Sequence, residues 1–221
     1  PLNCRSYISL EGEDKYTTIL DAEYISPIFY SSLDLERSYS LKNLTFQHSD
    51  KGYTVQINQP RNVFLQDLIL KENLVDGASA LVVSSISSTL TDSTNIYLNN
   101  IEIIDNVGRT GAAFGVIVDL TAENLLIKNN TPEYNSHTIL GGGLKIGGHY
   151  LYPDRHNVRI INTEITNNVN AMWEWPNGAS AIKISERTNV DIINCTLSGN
   201  ISEEGDGAAI VLDGYDVDLN I

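Results

Sequence analysis

The chain has 221 residues, with 14 Lys and Arg against 28 Asp and Glu, and so a formal net charge of -14. That balance excludes recognition built on a basic surface, whether of nucleic-acid phosphates or of an anionic membrane. Hydrophobic residues make up 42% of the chain and charged residues 19%, a composition that buries a core, and no apolar run approaches the ~18 residues of a membrane span.

In chain order, Tyr7–Gly12 and Thr17–Asp21 read as short opening strands. From Leu41 onward the chain repeats. A partial block, Leu41–Phe46, precedes five full blocks: Asn62–Asn73, Asn95–Asn106, Asp119–Asn130, Asn157–Asn168 and Asn189–Asn200. In each block apolar residues alternate with polar ones, which is the period of a strand. The alternation breaks phase at a central Asn or Asp and then resumes, so each block is two short strands joined at a bend. The bend residues are Asn43, Asp67, Asn100, Asn124, Asn162 and Asn194. These side chains tolerate left-handed backbone and bond nearby amides. Stacked at one corner, they are expected to form a ladder from repeat to repeat.

A third strand, opened by small residues, follows each block: Gly52–Ile57, Gly77–Val83, Gly111–Val118, Gly141–Ile146, Gly178–Ile184 and Gly207–Leu212. The shortest repeats run to about 24 residues, which leaves no room for the crossover helix of a βαβ unit. The prediction is therefore all-β: a coil, or solenoid, with three short strands per rung and roughly seven to nine rungs. Insertions fall at two corners, one carrying 131–139 and 169–177, the other 84–94 and 147–156. Residues 1–221 read as one such domain, within a longer protein that supplies neighbouring domains.

The pattern resembles the pectate-lyase-like superfamily of right-handed parallel β-helices, from about Leu41 to Leu219 and in the opening strands. The resemblance implies the fold, a single-stranded right-handed parallel β-helix. It leaves function open among polysaccharide lyases, glycoside hydrolases, esterases, tailspikes and surface adhesins.

Site residues follow from the loops. Trp173, Glu174 and Trp175 lie in one insertion, and Glu133 and Tyr134 in the preceding insertion at the same corner. Aromatic faces stack on sugar rings and carboxylates bond their hydroxyls, so these five are the glycan-binding candidates. Glu174 with Glu133 or Glu203 would be the carboxylate pair of a hydrolase. Glu203, Glu204 and Asp206 carry oxygen ligands suited to calcium but lack the EF-hand order. His149 and His156 lack zinc-site partners at the usual spacing. No metal site and no cofactor is expected. Arg159 and Lys183 are placed on exposed strand positions of separate repeats, and Glu102 and Glu164 two repeats apart.

Of the two cysteines, Cys195 takes the inward position held by Leu68, Ile101 and Leu125 in other repeats, while Cys4 is remote in sequence. A disulfide between them is not expected. Of four Asn-x-Ser/Thr triplets, those at Asn129 and Asn200 are the glycosylation candidates, since Asn43 and Asn194 sit in the corner ladder. The functional expectation is an extracellular or cell-surface structural and adhesive module that binds a glycan or a surface protein. The alternative is a polysaccharide-degrading hydrolase or lyase.

Overall fold

The computed structural model describes residues 2–4, 8–31, 37–50, 52–58, 60–84, 94–114, 118–131, 143–147, 155–170, 181–185, 187–202, 207, 209–214 and 216–221. Among them there are strands and no helix. In chain order these are β1 (Leu2–Cys4), β2 (Ile8–Glu11), β3 (Ile19–Asp21), β4 (Phe29–Ser31), β5 (Arg37–Gln47), β6 (Val55–Asn58), β7 (Pro60–Lys71) and β8 (Leu74–Ser84). There follow β9 (Thr94–Ile104), β10 (Val107–Phe114), β11 (Val118–Glu123), β12 (Leu126–Lys128), β13 (Leu144–Ile146), β14 (His156–Ile161), β15 (Glu164–Thr166) and β16 (Val169–Asn170). The last are β17 (Ile182–Ser185), β18 (Thr188–Ile193), β19 (Thr196–Ser198), β20 (Ile201–Ser202), β21 (Ile210–Asp213) and β22 (Asp218–Asn220).

Every pairing between these strands is parallel. An 8-stranded sheet runs β1-β4-β6-β8-β10-β13-β17-β21. A 12-stranded sheet holds the rest apart from the β16–β20 pair, and it has two legs. The first leg aligns β2, the starts of β5, β7 and β9, then β11, β14, β18 and β22; the second aligns β3, the ends of β5, β7 and β9, then β12, β15 and β19. Each strand therefore lies beside its counterpart in the next repeat.

The register explains the alternation. Tyr39, Val63, Ile96, Leu120, Val158 and Val190 form one column of the first leg, all at most 1% exposed. Phe46, Leu70, Ile103, Ile127 and Ile165 form the matching column of the second leg. Phe29, Val55, Leu81, Leu144 and Ile182 face them from the 8-stranded sheet, and all three columns belong to one hydrophobic cluster. Each such side chain, fully buried, contributes roughly 1.5–3 kcal/mol. Cys195 is partly buried against this cluster, in register with Thr163 and Leu125, and is a free thiol.

Both corners of the second leg are left-handed. The bend residues Asn43, Asp67, Asn100, Asn124, Asn162 and Asn194 have φ between 50° and 57°. Five residues further on, His48, Glu72, Asp105, Asn129, Asn167 and Gly199 repeat the conformation at φ 54° to 64°. Side chains with a Cβ resist this region, and Asn and Asp resist it least, which accounts for their filling every position of the first bend and half of the second.

The carboxamide ladder is where the two bends differ. At the first bend, Asn100 Nδ2 donates to Asp67 Oδ1 at 2.6 Å and Asn194 Nδ2 to Asn162 Oδ1 at 2.7 Å, while Asn43 Nδ2 turns to the Gly12 carbonyl at 3.2 Å. The unbroken ladder lies just past the second bend, inside the molecule. Asn73, Asn106, Asn130 and Asn168 each donate Nδ2 to the Oδ1 of the next asparagine in the series, at 2.8, 2.9, 2.9 and 3.0 Å in turn, and Asn200 is the last acceptor. The same oxygens accept the backbone N–H of the preceding residue, beginning with Ser49 N–H to Asn73 Oδ1 at 3.0 Å. Every Nδ2 also donates to a main-chain carbonyl, from Phe46 to Ile165. Asn200 is thus not an open glycosylation corner: its carboxamide closes this ladder. Asn129 is exposed, and its Nδ2 donates to Asp105 Oδ1 at 2.9 Å.

Two further packing features depart from the strand pattern. Lys183 occupies an outward position between the buried Ile182 and Ile184, yet it is only 5% exposed and pairs with Asp213 at 2.8 Å. The expected solvated lysine is therefore a buried one. In the loop between β2 and β3, the Lys15 carbonyl accepts a hydrogen bond from Thr45 Oγ1 at 2.5 Å, and Lys15 Nζ reaches Glu102 Oε1 at 2.8 Å. Thr45, Ile69 and Glu102 are successive in register. The lysine stem therefore straddles Ile69, an outward residue that is only 6% exposed. Gly12 lets this loop approach: a Cβ there would stand 2.2 Å from the Asn43 carbonyl oxygen.

Candidate functional site

The glycan-binding candidates Glu133, Tyr134, Trp173, Glu174 and Trp175 lie outside the described residues, as do Glu203, Glu204 and Asp206. Among the described residues no group of three or more His, Cys, Asp or Glu could hold a metal ion. The recognition chemistry that the described residues do assemble is on the outer face of the first leg.

On β7, Val63 and Leu65 point into the core, so Phe64 between them points out. On β9, Ile96 and Leu98 do the same for Tyr97. The register sets Phe64 directly beside Tyr97, one strand spacing away. The rings stack with centroids 5.1 Å apart and planes 5° from parallel, and each residue is 46% exposed. Such a pair is worth about 0.5–1.5 kcal/mol beyond its burial. The next residue in this column after Tyr97 is Thr121, followed by Arg159 and Asp191. The small threonine leaves space beside the tyrosine ring.

The neighbouring outward column, two residues along each strand, runs Lys42, Gln66, Asn99 and Glu123. Together the two columns enclose a shallow cavity of about 230 Å³. The aromatic pair and Thr121 line one side, and Gln66, Asn99 and Glu123 the other, over a floor of Leu65 and Leu98. Carboxamides donate and accept, a carboxylate accepts, and an aromatic face covers apolar C–H groups. That combination suits a ring with hydroxyls on its edge and C–H groups on its face.

The charges flanking this cavity are paired. Lys42 Nζ lies 3.3 Å from Glu11 Oε1, and Arg159 Nε 3.9 Å from Asp191 Oδ2. A third column, at the strand starts, is polar: Asn95 Nδ2 donates to Asn62 Oδ1 at 3.4 Å, the Asn157 N–H to Asp119 Oδ1 at 2.8 Å and Asn189 Nδ2 to Asn157 Oδ1 at 3.1 Å. Arg155 clamps the end of this column through Asn189 at 2.8 Å and through Asp216 and Asp218. Glu102 and Glu164 sit two repeats apart on the other leg, with Leu126 between them, and Glu102 is taken up by Lys15.

A separate charged cluster stands at the second bend. His48 Nδ1 lies 3.0 Å from Asp21 Oδ2, and Nε2 lies 3.1 Å from Glu72 Oε2. Gln47 Nε2 also donates to Asp21 at 2.8 Å, Lys71 approaches Glu72 at 3.7 Å, and the Tyr24 ring is 4.8 Å from the imidazole. Partial burial works against the charged imidazole, but the hydrogen bonds it donates to the Glu72 and Asp21 carboxylates, with their charges, outweigh it and raise the His48 pKa. The Asp21 carboxyl is held below its ordinary value, chiefly by the Gln47 hydrogen bond and the Glu23 N–H. This cluster secures a corner and lies on the other leg from the cavity.

In comparison with known proteins, no family model, curated protein or solved structure matches the chain. Phe64, Tyr97, Gln66, Asn99 and Glu123 were not among the residues that sequence reasoning singled out. The available signal was an aromatic residue at the same outward block position in two successive repeats.

Proposed function

We propose that the chain is a right-handed parallel β-helix of the pectate-lyase-like kind, serving as an extracellular or cell-surface structural and adhesive module that holds a glycan on its first leg. All-parallel pairing with its strands in repeat order supports the β-helix. The observation that carries the binding role is the exposed, stacked Phe64–Tyr97 pair beside the Gln66, Asn99 and Glu123 side chains. Aromatic side chains this exposed are costly on a solvated strand, and here two adjoin a row of hydroxyl-matching groups. Binding without turnover is the reading, with the stacked repeats serving as a rigid support for the site.

The test is titration of the protein with a panel of oligosaccharides, followed by the chemical shifts of the Tyr97 ring, with reducing ends assayed in parallel. At least one glycan is expected to shift those resonances, with affinity falling at least tenfold in Tyr97→Ala and no new reducing ends released. The reading fails if no glycan binds, if Phe64→Ala/Tyr97→Ala binds as the unaltered protein does, or if product accumulates.

A further inference from the structure

The cavity beside Tyr97 also bears on which glycans it accepts, an inference that rests on the binding role above. Phe64 occupies one face of the Tyr97 ring by stacking. The other face looks along the register toward Thr121, and there a second flat body has room to stack. Of the residues that line the cavity, Glu123 alone carries a charge. The nearest cations in the same two columns are paired, Lys42 with Glu11 at 3.3 Å and Arg159 with Asp191 at 3.9 Å. Beyond them the chain carries a net charge of -14. A carboxylated or sulfated sugar would enter against one carboxylate and a repulsive long-range field, with no unpaired cation described at the cavity to receive it. An uncharged sugar would donate its hydroxyls to Glu123 and exchange hydrogen bonds with Gln66 and Asn99.

We propose that the cavity beside Tyr97 selects neutral pyranosides and discriminates against uronate and sulfated glycans, with Glu123 as the discriminating residue. The ring stacks on the free face of Tyr97 and its hydroxyl edge meets Glu123 and Asn99.

The experiment compares a neutral gluco-oligosaccharide series with glucuronate-containing oligosaccharides of the same length, at low and at high salt. The unaltered protein is expected to bind the neutral series at least tenfold tighter at low salt, with a smaller gap at high salt because the field is screened. Glu123→Gln keeps the size and the hydrogen-bonding edge, and it should narrow the gap by strengthening uronate binding. Equal or tighter uronate binding by the unaltered protein overturns the inference and leaves the binding role standing, as does a gap unchanged in Glu123→Gln. Failure of both series to shift Tyr97, with the rest of the panel also silent, removes the binding role and the inference together.

Discussion

Replacing Asn130 by alanine should be among the most damaging single substitutions in this chain. Its Oδ1 accepts from the Asn106 N–H at 3.2 Å and from Asn106 Nδ2 at 2.9 Å. Its own Nδ2 donates to the Ile103 carbonyl at 3.0 Å and to Asn168 Oδ1 at 2.9 Å. At about 1 kcal/mol net for each hydrogen bond, the four together are worth about 4 kcal/mol. The loss is not softened by solvent, since Asn106, Asn130 and Asn168 are each at most 2% exposed. Alanine leaves donors and acceptors stranded on both neighbours, which is the costly way to lose a hydrogen bond. Against a typical total of 5–15 kcal/mol, that is a large fraction of the stability. Urea unfolding measures it, and amide exchange at Asn106 should accelerate in the native state. The control is Asn129→Gly one residue earlier, where φ is 55°; glycine relieves the strained backbone while the exposed bond to Asp105 is lost, for a net change within about 0.5 kcal/mol. A cost below about 1 kcal/mol for Asn130→Ala would refute the argument that the interior ladder is fully closed.

Three further substitutions read out electrostatics. The His48 pKa is raised above 6.5, so its charge stabilises the fold below that value and the benefit is lost as pH rises through the folded value. Asp21 is lowered below 3.8, so its contribution holds above that value and is lost as pH falls through the folded value. Thermal unfolding across pH should therefore separate His48→Asn from the unaltered protein most widely between 3.8 and 6.5. Asparagine tolerates the left-handed backbone there, so a difference independent of pH would refute the ion-pair account. Lys15, only 7% exposed, is raised above 10.5: burial opposes its charge, but Glu102 prevails, so its contribution fades only as pH climbs through the raised value. Glu102→Gln should cost about 2 kcal/mol because a buried cation loses its partner, whereas Lys15→Met, which keeps the apolar stem over Ile69, should cost less than about 1 kcal/mol. The reverse order in denaturant unfolding would show that Lys15 acts through its charge alone.

The all-β character and the parallel repeats were legible because each block alternates with strand period, and the periodic phase break at Asn or Asp marked the left-handed first bend. The location of the continuous ladder was not legible from that break alone, because asparagine recurs at both ends of the second leg. A finer signal was present. The first bend accepts Asp67 among its asparagines, whereas the position at the end of every full block is Asn without exception. A buried ladder must donate and accept at each step, which a carboxamide does and the carboxylate of an aspartate does not. An exposed bend needs only a residue that accepts positive φ. The Lys15–Glu102 contact was illegible for a different reason. It joins residues 87 apart, and no periodicity links a loop to the strand it crosses. The Phe64–Tyr97 cavity depends on cross-strand register, which single-strand alternation does not contain. Lys183 shows the limit from the other side: its outward position was readable, but its burial was not.

The interior asparagines also give the stack a direction. From Asn73 to Asn168 each side-chain amide sends one N–H to the carboxamide of the later repeat and the other to a main-chain carbonyl of the earlier one, while its oxygen accepts only from the earlier repeat, so the carboxamide chain runs in one sense and its members polarise one another. Ser49 opens the series by offering only its backbone N–H, and Asn200 is the last carboxamide in it. The two ends are therefore chemically unlike: one begins on a main-chain donor, the other finishes on a carboxamide that accepts from Asn168 and donates back to the Ile165 carbonyl. A repeat could be deleted from the middle and the remaining amides rejoined in the same sense. A repeat inserted in reverse would set oxygen against oxygen. In this respect the chain resembles a threaded rod, tolerant of changes in length and intolerant of changes in sense.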